Sequence, residues 1–416
     1  MKVVGLITEY NPFHNGHKYH IEEAKKLTGA DYVVVVMSGN FVQRGTPAIT
    51  DKYIRCEMAL ANGADLVIEL PVVFSTASAE FFSYGAVRIL DSLGIIDSIC
   101  FGSECGDITL LEEVASLLCN EPDSYQILLN ELLKKGLSFP AAREQALCTY
   151  MEQEHPERNH NNIQAVVSSP NNILGIEYIK ALKRLHSPIK AATLQRVSAN
   201  YHDTEVTSNI SSATAIRKSM LTTEELACFL HAIPNTIHEL VKQAYQKVMP
   251  ITEDEISTLV FYKLLYTPKE DLCNFSDFNE DLAQRIKNCL PEYQNYSDFC
   301  DLLKTKNLTH ARISRCLIHV LLDITKDTLQ TAMLDTSCYI RILGMKKDSS
   351  FLLREAKKTC SVPIITKVGT AKQQLGEEAY LLFQKDLLAS HLYNQLILEK
   401  FKYQQKDEYR IGIVRR

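Results

Sequence analysis

The chain has 416 residues, 46% hydrophobic and 23% charged, with a net charge of −5, an ordinary make-up for a globular protein in water and enough length for two domains. No uninterrupted apolar run reaches membrane-spanning length and the chain opens on a strand pattern rather than a signal peptide, so no membrane partner is expected. Twelve cysteines occur without a Cys-x-x-Cys pair, and several (Cys119, Cys148, Cys228, Cys316) fall in apolar helical patterns as small hydrophobes, which points to a reducing, cytoplasmic setting.

The first element is an apolar run, Val3 to Ile7, that reads as a buried strand. The chain then turns through Asn11-Pro12 and enters a helix pattern over 17–27, with packing positions at 17, 20, 21, 24 and 27. His14 therefore falls in a strand-to-helix loop, Gly16 at the helix entrance and His17 in the first turn. Backbone N–H groups at a helix start are unpaired and partly positive, which makes a seat for phosphate. Two imidazoles three residues apart there can bond phosphoryl oxygens, and Gly16 lets the backbone come close. Two plainer readings stand beside this one. The histidines are polar groups near a turn, or His14, His17 and His20 are part of a zinc site, which would need suitably placed further ligands.

Strands follow at Tyr32–Met37, Leu66–Leu70 and Ser98–Phe101, with helices near 51–62 and 80–93. Continuous Val/Ile strands separated by helices predict a parallel sheet covered on both faces, with ligands bound beyond the carboxyl ends of its strands. Four loops then share one rim: 8–16, 38–45, 71–79 and 102–106. The second, Ser38-Gly39-Asn40-Phe41-Val42-Gln43-Arg44-Gly45, is rich in hydrogen-bonding groups. Arg44 suits a phosphate or carboxylate and Asn40 or Gln43 a small polar ligand, unless the loop only satisfies its own backbone. In the fourth, Gly102 lets a nucleotide ring lie against the main chain, unless it serves a simple tight turn.

Residues 107–165 read as a helical insertion, with a polar surface loop over 152–162. Asn171 or Asn172 then opens a helix, as its cap or as an amide facing a nucleotide. A strand over Ala191–Val197 carries Gln195-Arg196 at its carboxyl end. In Ser211-Ser212-Ala213-Thr214-Ala215-Ile216-Arg217, hydroxyls precede a helix and Arg217 follows Thr214 by one turn. Taken alone this is a capping motif; opposite the histidines it can receive the far end of a triphosphate, with Arg217 neutralising the leaving pyrophosphate.

Beyond a boundary near 220 the pattern turns helical, with a basic loop at Arg341–Lys347 and a short strand at Val362–Thr366. From Ser337 to Arg416 there are 15 Lys or Arg against 8 Asp or Glu, a balance of +7, which leaves −12 for the rest of the chain. That asymmetry suggests an anionic partner at the basic end, or simply a solvated charged surface.

His14-Asn15-Gly16-His17 resembles the His-x-Gly-His signature of the HIGH-motif nucleotidyltransferase superfamily. Together with Gly5 to Phe13, Ser38 to Gly45 and Ser212 to Arg217, it makes the whole chain similar to the tRNA(Met) cytidine acetate ligase family. One departure from the superfamily is Ala213, where a second Ser is usual. The resemblance implies an α/β fold: a parallel, Rossmann-like catalytic domain over 1–220 and a mostly helical, tRNA-binding domain over 221–416. It implies ATP and acetate as substrates, with Mg²⁺ on the phosphates and elongator tRNA(Met) as partner. Acetate attacks the α-phosphorus to give acetyl-adenylate and pyrophosphate; N4 of the wobble cytidine then takes the acetyl group and AMP leaves. His14, His17 and Arg217 are the implied catalytic residues. Ile7, Thr8, Glu9, Tyr10, Asn11, Pro12, Phe13, His14, Asn15, Gly16, His17, Lys18, Tyr19 and His20 would wrap the ATP, with Gly102, Asn171, Asn172, Arg196, Ser212 and Thr214. Gly39, Asn40, Gln43 and Arg44 are the candidate substrate contacts. A small-molecule adenylyltransferase of the same fold would share every ATP residue, and a non-enzymatic RNA-binding protein is the second rival.

Overall fold

A computed structural model of the chain describes residues 1–154, 160–196, 211–222 and 225–416. Five strands run parallel at its centre: β1 (Val3–Thr8), β2 (Tyr32–Ser38), β5 (Leu66–Leu70), β6 (Ser98–Ser103) and β7 (Lys190–Gln195). The expected strands are all present, extended by one or two residues at several ends, except that the last stops at Gln195, before Arg196; Val197 lies outside the described residues. Val33 to Met37 are fully buried, as a strand covered on both faces requires. Between β2 and β5 a small antiparallel hairpin, β3 (Phe41–Val42) and β4 (Thr46–Pro47), interrupts the rim.

The region beyond residue 220 does not stay outside this sheet. Residues 341–347, expected as a basic loop, are largely strand: β8 (Ile340–Met345) is buried along its length and pairs antiparallel with β5. β9 (Ile364–Ile365) and β10 (Val414–Arg415) flank β8, so the order across the sheet is β10-β8-β5-β2-β1-β6-β7. Arg and Lys at its ends disguised β8 as a solvated turn. Gly344 is packed too tightly for a side chain, since a Cβ there would stand 2.5 Å from Cys56 Sγ.

Arg341 is in fact a core residue. It pairs with Glu69 of β5 and Glu408 of the carboxyl-terminal tail, and both carboxylates also hold Lys52, the first residue of α2 (Lys52–Ala61). Charges this deeply buried persist only when mutually paired. Other cations of the basic end also have partners: Lys346 with Asp65, Lys385 with Asp323, Lys400 with Glu255 and Arg416 with Glu57. Lys357, Lys367, Lys372, Lys406 and Arg410 are exposed.

The insertion is helical, packed against the helix Pro170–Arg184. Its expected polar loop over 152–162 is helical on both described sides, in Phe139–Glu154 and His160–Ser168; residues 155–159 lie outside the described residues. The helices after residue 220 close over the sheet edge. Tyr393 donates to the carbonyl of Ala48 and Val72 N donates to Asp386, so the expected third rim loop is buried beneath them rather than open to a ligand.

Candidate active site

β1 ends at Thr8 and α1 runs from Asn15 to Thr28, with His14 as its N-cap in an extended conformation. His14 Nδ1 accepts from Gly16 N at 3.0 Å, and His17 Nδ1 accepts from His14 N at 3.3 Å. With both Nδ1 atoms acting as acceptors, the neutral rings carry their proton on Nε2. The rings stack 3.7 Å apart, 29° from parallel. Burial, then the guanidinium groups of Arg196 and Arg217, pushes His14 down to about 3. Burial, then His14 and His20, holds His17 well below the usual range, and burial with Arg196 takes His20 down to about 4. The site therefore presents neutral N–H donors at pH 7. The zinc alternative gains no support: among the described residues no group of three His, Cys, Asp or Glu is placed to hold a metal.

These residues line a cavity of about 330 Å³ beyond the carboxyl ends of the parallel strands. The helix Ala213–Thr222 enters from the far side. Arg217 Nη1 donates to the carbonyl of Asn11 at 2.7 Å, and Nη2 to Thr214 Oγ1 at 3.1 Å. Ser212 Oγ accepts from Ala215 N at 3.0 Å as the cap of that helix, and Ser212 and Thr214 both line the cavity. The two informative stretches of sequence, 200 residues apart, thus meet across one space.

Of the fourteen residues from Ile7 to His20, Pro12, Phe13, Asn15 and Lys18 do not line it. Phe13 is fully buried against Tyr10, with ring centroids 4.7 Å apart. Asn15 turns to the carbonyl of His231, and Lys18 faces Glu22 on the outer side of α1. A helix can offer only one face to a ligand, which is why Asn15 and Lys18 of α1 turn away from the cavity.

Asn171 and Asn172 also divide. Asn171 lines the cavity; Asn172 is buried, its Oδ1 accepting from the backbone of Glu104 and Cys105. Neither is the helix cap, which is Ser169. Glu104 returns the contact by accepting from the backbone N of both asparagines and from Asn171 Nδ2. Gly102 and Arg196 line the same end, where a Cβ on Gly102 would press on the Arg196 side chain at 3.3 Å.

Gln43 and Arg44 reach the cavity from the hairpin; Gly39 and Asn40 do not. Asn40 Oδ1 accepts from Lys52 N at the start of α2, and Gly39 leaves room for Glu69, whose Oε1 would lie 2.6 Å from a Cβ. The beginning of that loop is bound up with α2, so only its tip reaches the cavity.

Sequence reasoning missed two sets of residues. Phe82, Leu174, Tyr178 and Leu194 form an apolar wall that suits a flat ring. They sit in ordinary core patterns, and only the tertiary contact distinguishes them. Arg55 of α2 is fully buried and donates to the carbonyls of Glu9, Ser38, Gly39 and Thr50, which ties the first two rim loops together.

The family described as HIGH Nucleotidyl Transferase matches residues 1–409. A tRNA(Met) cytidine acetate ligase of Acetivibrio thermocellus is 41% identical over 398 residues, 94% of each chain, and that of Thermoanaerobacter sp. is 42% identical over 94% of this chain and 95% of its own. The chain belongs to the tRNA(Met) cytidine acetate ligase family. Among solved structures of this family, that of Thermotoga maritima TmcAL without ligand superposes with a TM-score of 0.94 at 33% identity, covering 100% of this chain and 99% of that one. The same protein bound with alpha-thio ATP gives 0.91 at 32% identity, covering both chains fully.

Proposed function

We propose that this protein uses ATP to activate acetate and transfers the acetyl group to N4 of the wobble cytidine of elongator tRNA(Met), releasing pyrophosphate and AMP. The observation that carries the reading is the meeting of His14, His17 and Arg217 at one cavity. The nucleoside lies at the β6–β7 end, its base against Phe101, Leu174, Tyr178 and Leu194, with Asn171, Arg196 and the Gly102 backbone around it. Its phosphates run past the Nε2–H groups of His14 and His17 towards Arg217, Ser212 and Thr214. Acetate attacks the α-phosphorus and no protein nucleophile is needed, so the chain contributes positioning and donors for the growing negative charge.

Glu9 is the one carboxylate among the described residues lining the cavity. That donor set suits Mg²⁺ held chiefly by phosphate oxygens and water, and does not make a protein cage. When bound, the ion neutralises charge on the phosphates.

Exposed cations such as Lys357, Lys367, Lys372, Lys406 and Arg410 would hold the RNA backbone while an unstacked anticodon base enters the rim. Among the described residues no disulfide is formed, which supports a reducing cytoplasm, and no helix is long and apolar enough to cross a membrane.

The test incubates the protein with ATP, labelled acetate and total tRNA, then digests the RNA to nucleosides. Label is expected on cytidine only; label in a stable small product formed without RNA would instead mean a small-molecule adenylyltransferase. His17→Ala is expected to abolish acetate-dependent exchange of pyrophosphate into ATP while tRNA still binds. Loss of both would make the histidine structural.

A further inference from the structure

At the nucleoside end of the cavity, the orientation of one side chain is set from outside the cavity. Asn171, Leu174 and Tyr178 recur at helical spacing on the helix Pro170–Arg184, and all three line the space. A flat ring lying on Leu174 and Tyr178 therefore meets Asn171 at its edge. An amide offers such an edge either an accepting oxygen or a donating nitrogen. Glu104, which does not itself line the cavity, decides between them. Its Oε1 accepts from Asn171 Nδ2 at 2.6 Å and its Oε2 from Asn172 N at 2.9 Å. A carboxylate accepts and does not donate, so Nδ2 must face it and Asn171 Oδ1 must face away. Asn172 Oδ1 accepts in turn from Glu104 N at 2.9 Å, which fixes the place of Glu104 just beyond β6.

The outward oxygen has a donor beside it, since Arg196 Nη1 stands 3.4 Å from Asn171 Oδ1. An acceptor and a donor thus lie side by side at the edge of the ring. Adenine has the complementary pattern: its 6-amino group donates and the ring nitrogens next to it accept. Guanine and hypoxanthine carry an accepting oxygen at the same position, which would face the Asn171 oxygen with no proton between them.

We infer that Glu104 is a positioning residue for nucleotide selection: by turning the Asn171 oxygen towards the base, it makes the site take a 6-aminopurine nucleotide and reject a 6-oxopurine. This rests on the ligase reading and on the place of the nucleoside proposed with it. Glu104 also closes the start of the helix by accepting from the backbone of Asn171 and Asn172. Glutamine at this position separates the two duties. With its one oxygen on Asn172 N, its amide nitrogen faces Asn171 and donates to Oδ1. The Asn171 amide then turns over and presents Nδ2 to the base.

The test uses the full-length chain and measures acetate-dependent exchange of pyrophosphate into ATP and into ITP, which carries an oxygen in place of the 6-amino group. Wild type should favour ATP in kcat/KM by about tenfold or more, the scale of a well-placed base contact. Glu104→Gln should lower the ATP-to-ITP ratio by about tenfold. Asn171→Ala should lower it similarly, and adding Glu104→Gln to that variant should change it no further, because the two residues act through one amide. Loss of folded protein lowers exchange with both nucleotides alike, so the ratio reads orientation and not stability. A wild type indifferent to the two nucleotides, a single variant that keeps the wild-type ratio, or a further fall in the double variant overturns the inference. A wild type that exchanges pyrophosphate into neither nucleotide would overturn the ligase reading instead.

Discussion

Tyr296 Oη lies 2.8 Å from the carbonyl oxygen of Gly45, and the two residues join the helices beyond residue 220 to the tip of the hairpin at the cavity. Ser314 Oγ bonds the same carbonyl at 2.9 Å, and Tyr296 is fully buried. Gly45 has φ +77°, and a Cβ there would stand 2.3 Å from the backbone nitrogen of Arg315. The hairpin that presents Gln43 and Arg44 is therefore held against the helix His310–Leu322, backbone to backbone.

Tyr296→Phe removes one donor and leaves Ser314 to satisfy the carbonyl. Stability should fall by about 1 kcal/mol in urea unfolding. With the nucleoside placed as proposed, at the opposite end of the cavity, ATP binding should be unchanged, while KM for acetate or tRNA rises. Gly45→Ala, strained and in collision with backbone, should cost more than Tyr296→Phe. An ATP affinity that weakens in step with stability would show that the latch serves the whole site and not the hairpin end.

The depressed histidines make the fold sensitive to acid. His14 and His20 titrate near 6.5 in the unfolded chain but at about 3 and about 4 in the fold. Between pH 6.5 and 4 the unfolded state binds more protons, so stability present above pH 6.5 is lost as the pH falls. The slope is up to about 1.4 kcal/mol per pH unit for each histidine. Bound polyphosphate favours the imidazolium form, so nucleotide binding near pH 6 should take up protons. Calorimetric titration in two buffers of different ionisation heat checks this, and equal heats would contradict it.

Glu408 ties the carboxyl-terminal tail into the core through Lys52 at 2.8 Å and through Arg341 and Tyr53. The two cations hold its carboxyl well below the usual range against the opposing effect of burial. Glu408→Gln leaves buried cations short of a partner and should destabilise by about 3–5 kcal/mol. A change below 1 kcal/mol in denaturant unfolding would mean that the tail is not held by this cluster.

Local sequence determined the central parallel strands, the helix mouth with His14, Gly16 and His17, and the hydroxyl-bearing start of the helix with Arg217, because strand runs, caps and glycine requirements are written within a dozen residues. Only the tertiary structure decided that β8 joins the sheet beside β5 and that Arg341 is a core residue. A charge in a short basic stretch looks solvated until its partners, here Glu69 and Glu408, are placed around it. The division of Asn171 from Asn172, and of Gln43 and Arg44 from Gly39 and Asn40, was likewise beyond sequence. Adjacent residues have the same local pattern, and which one reaches a ligand depends on what packs behind the other.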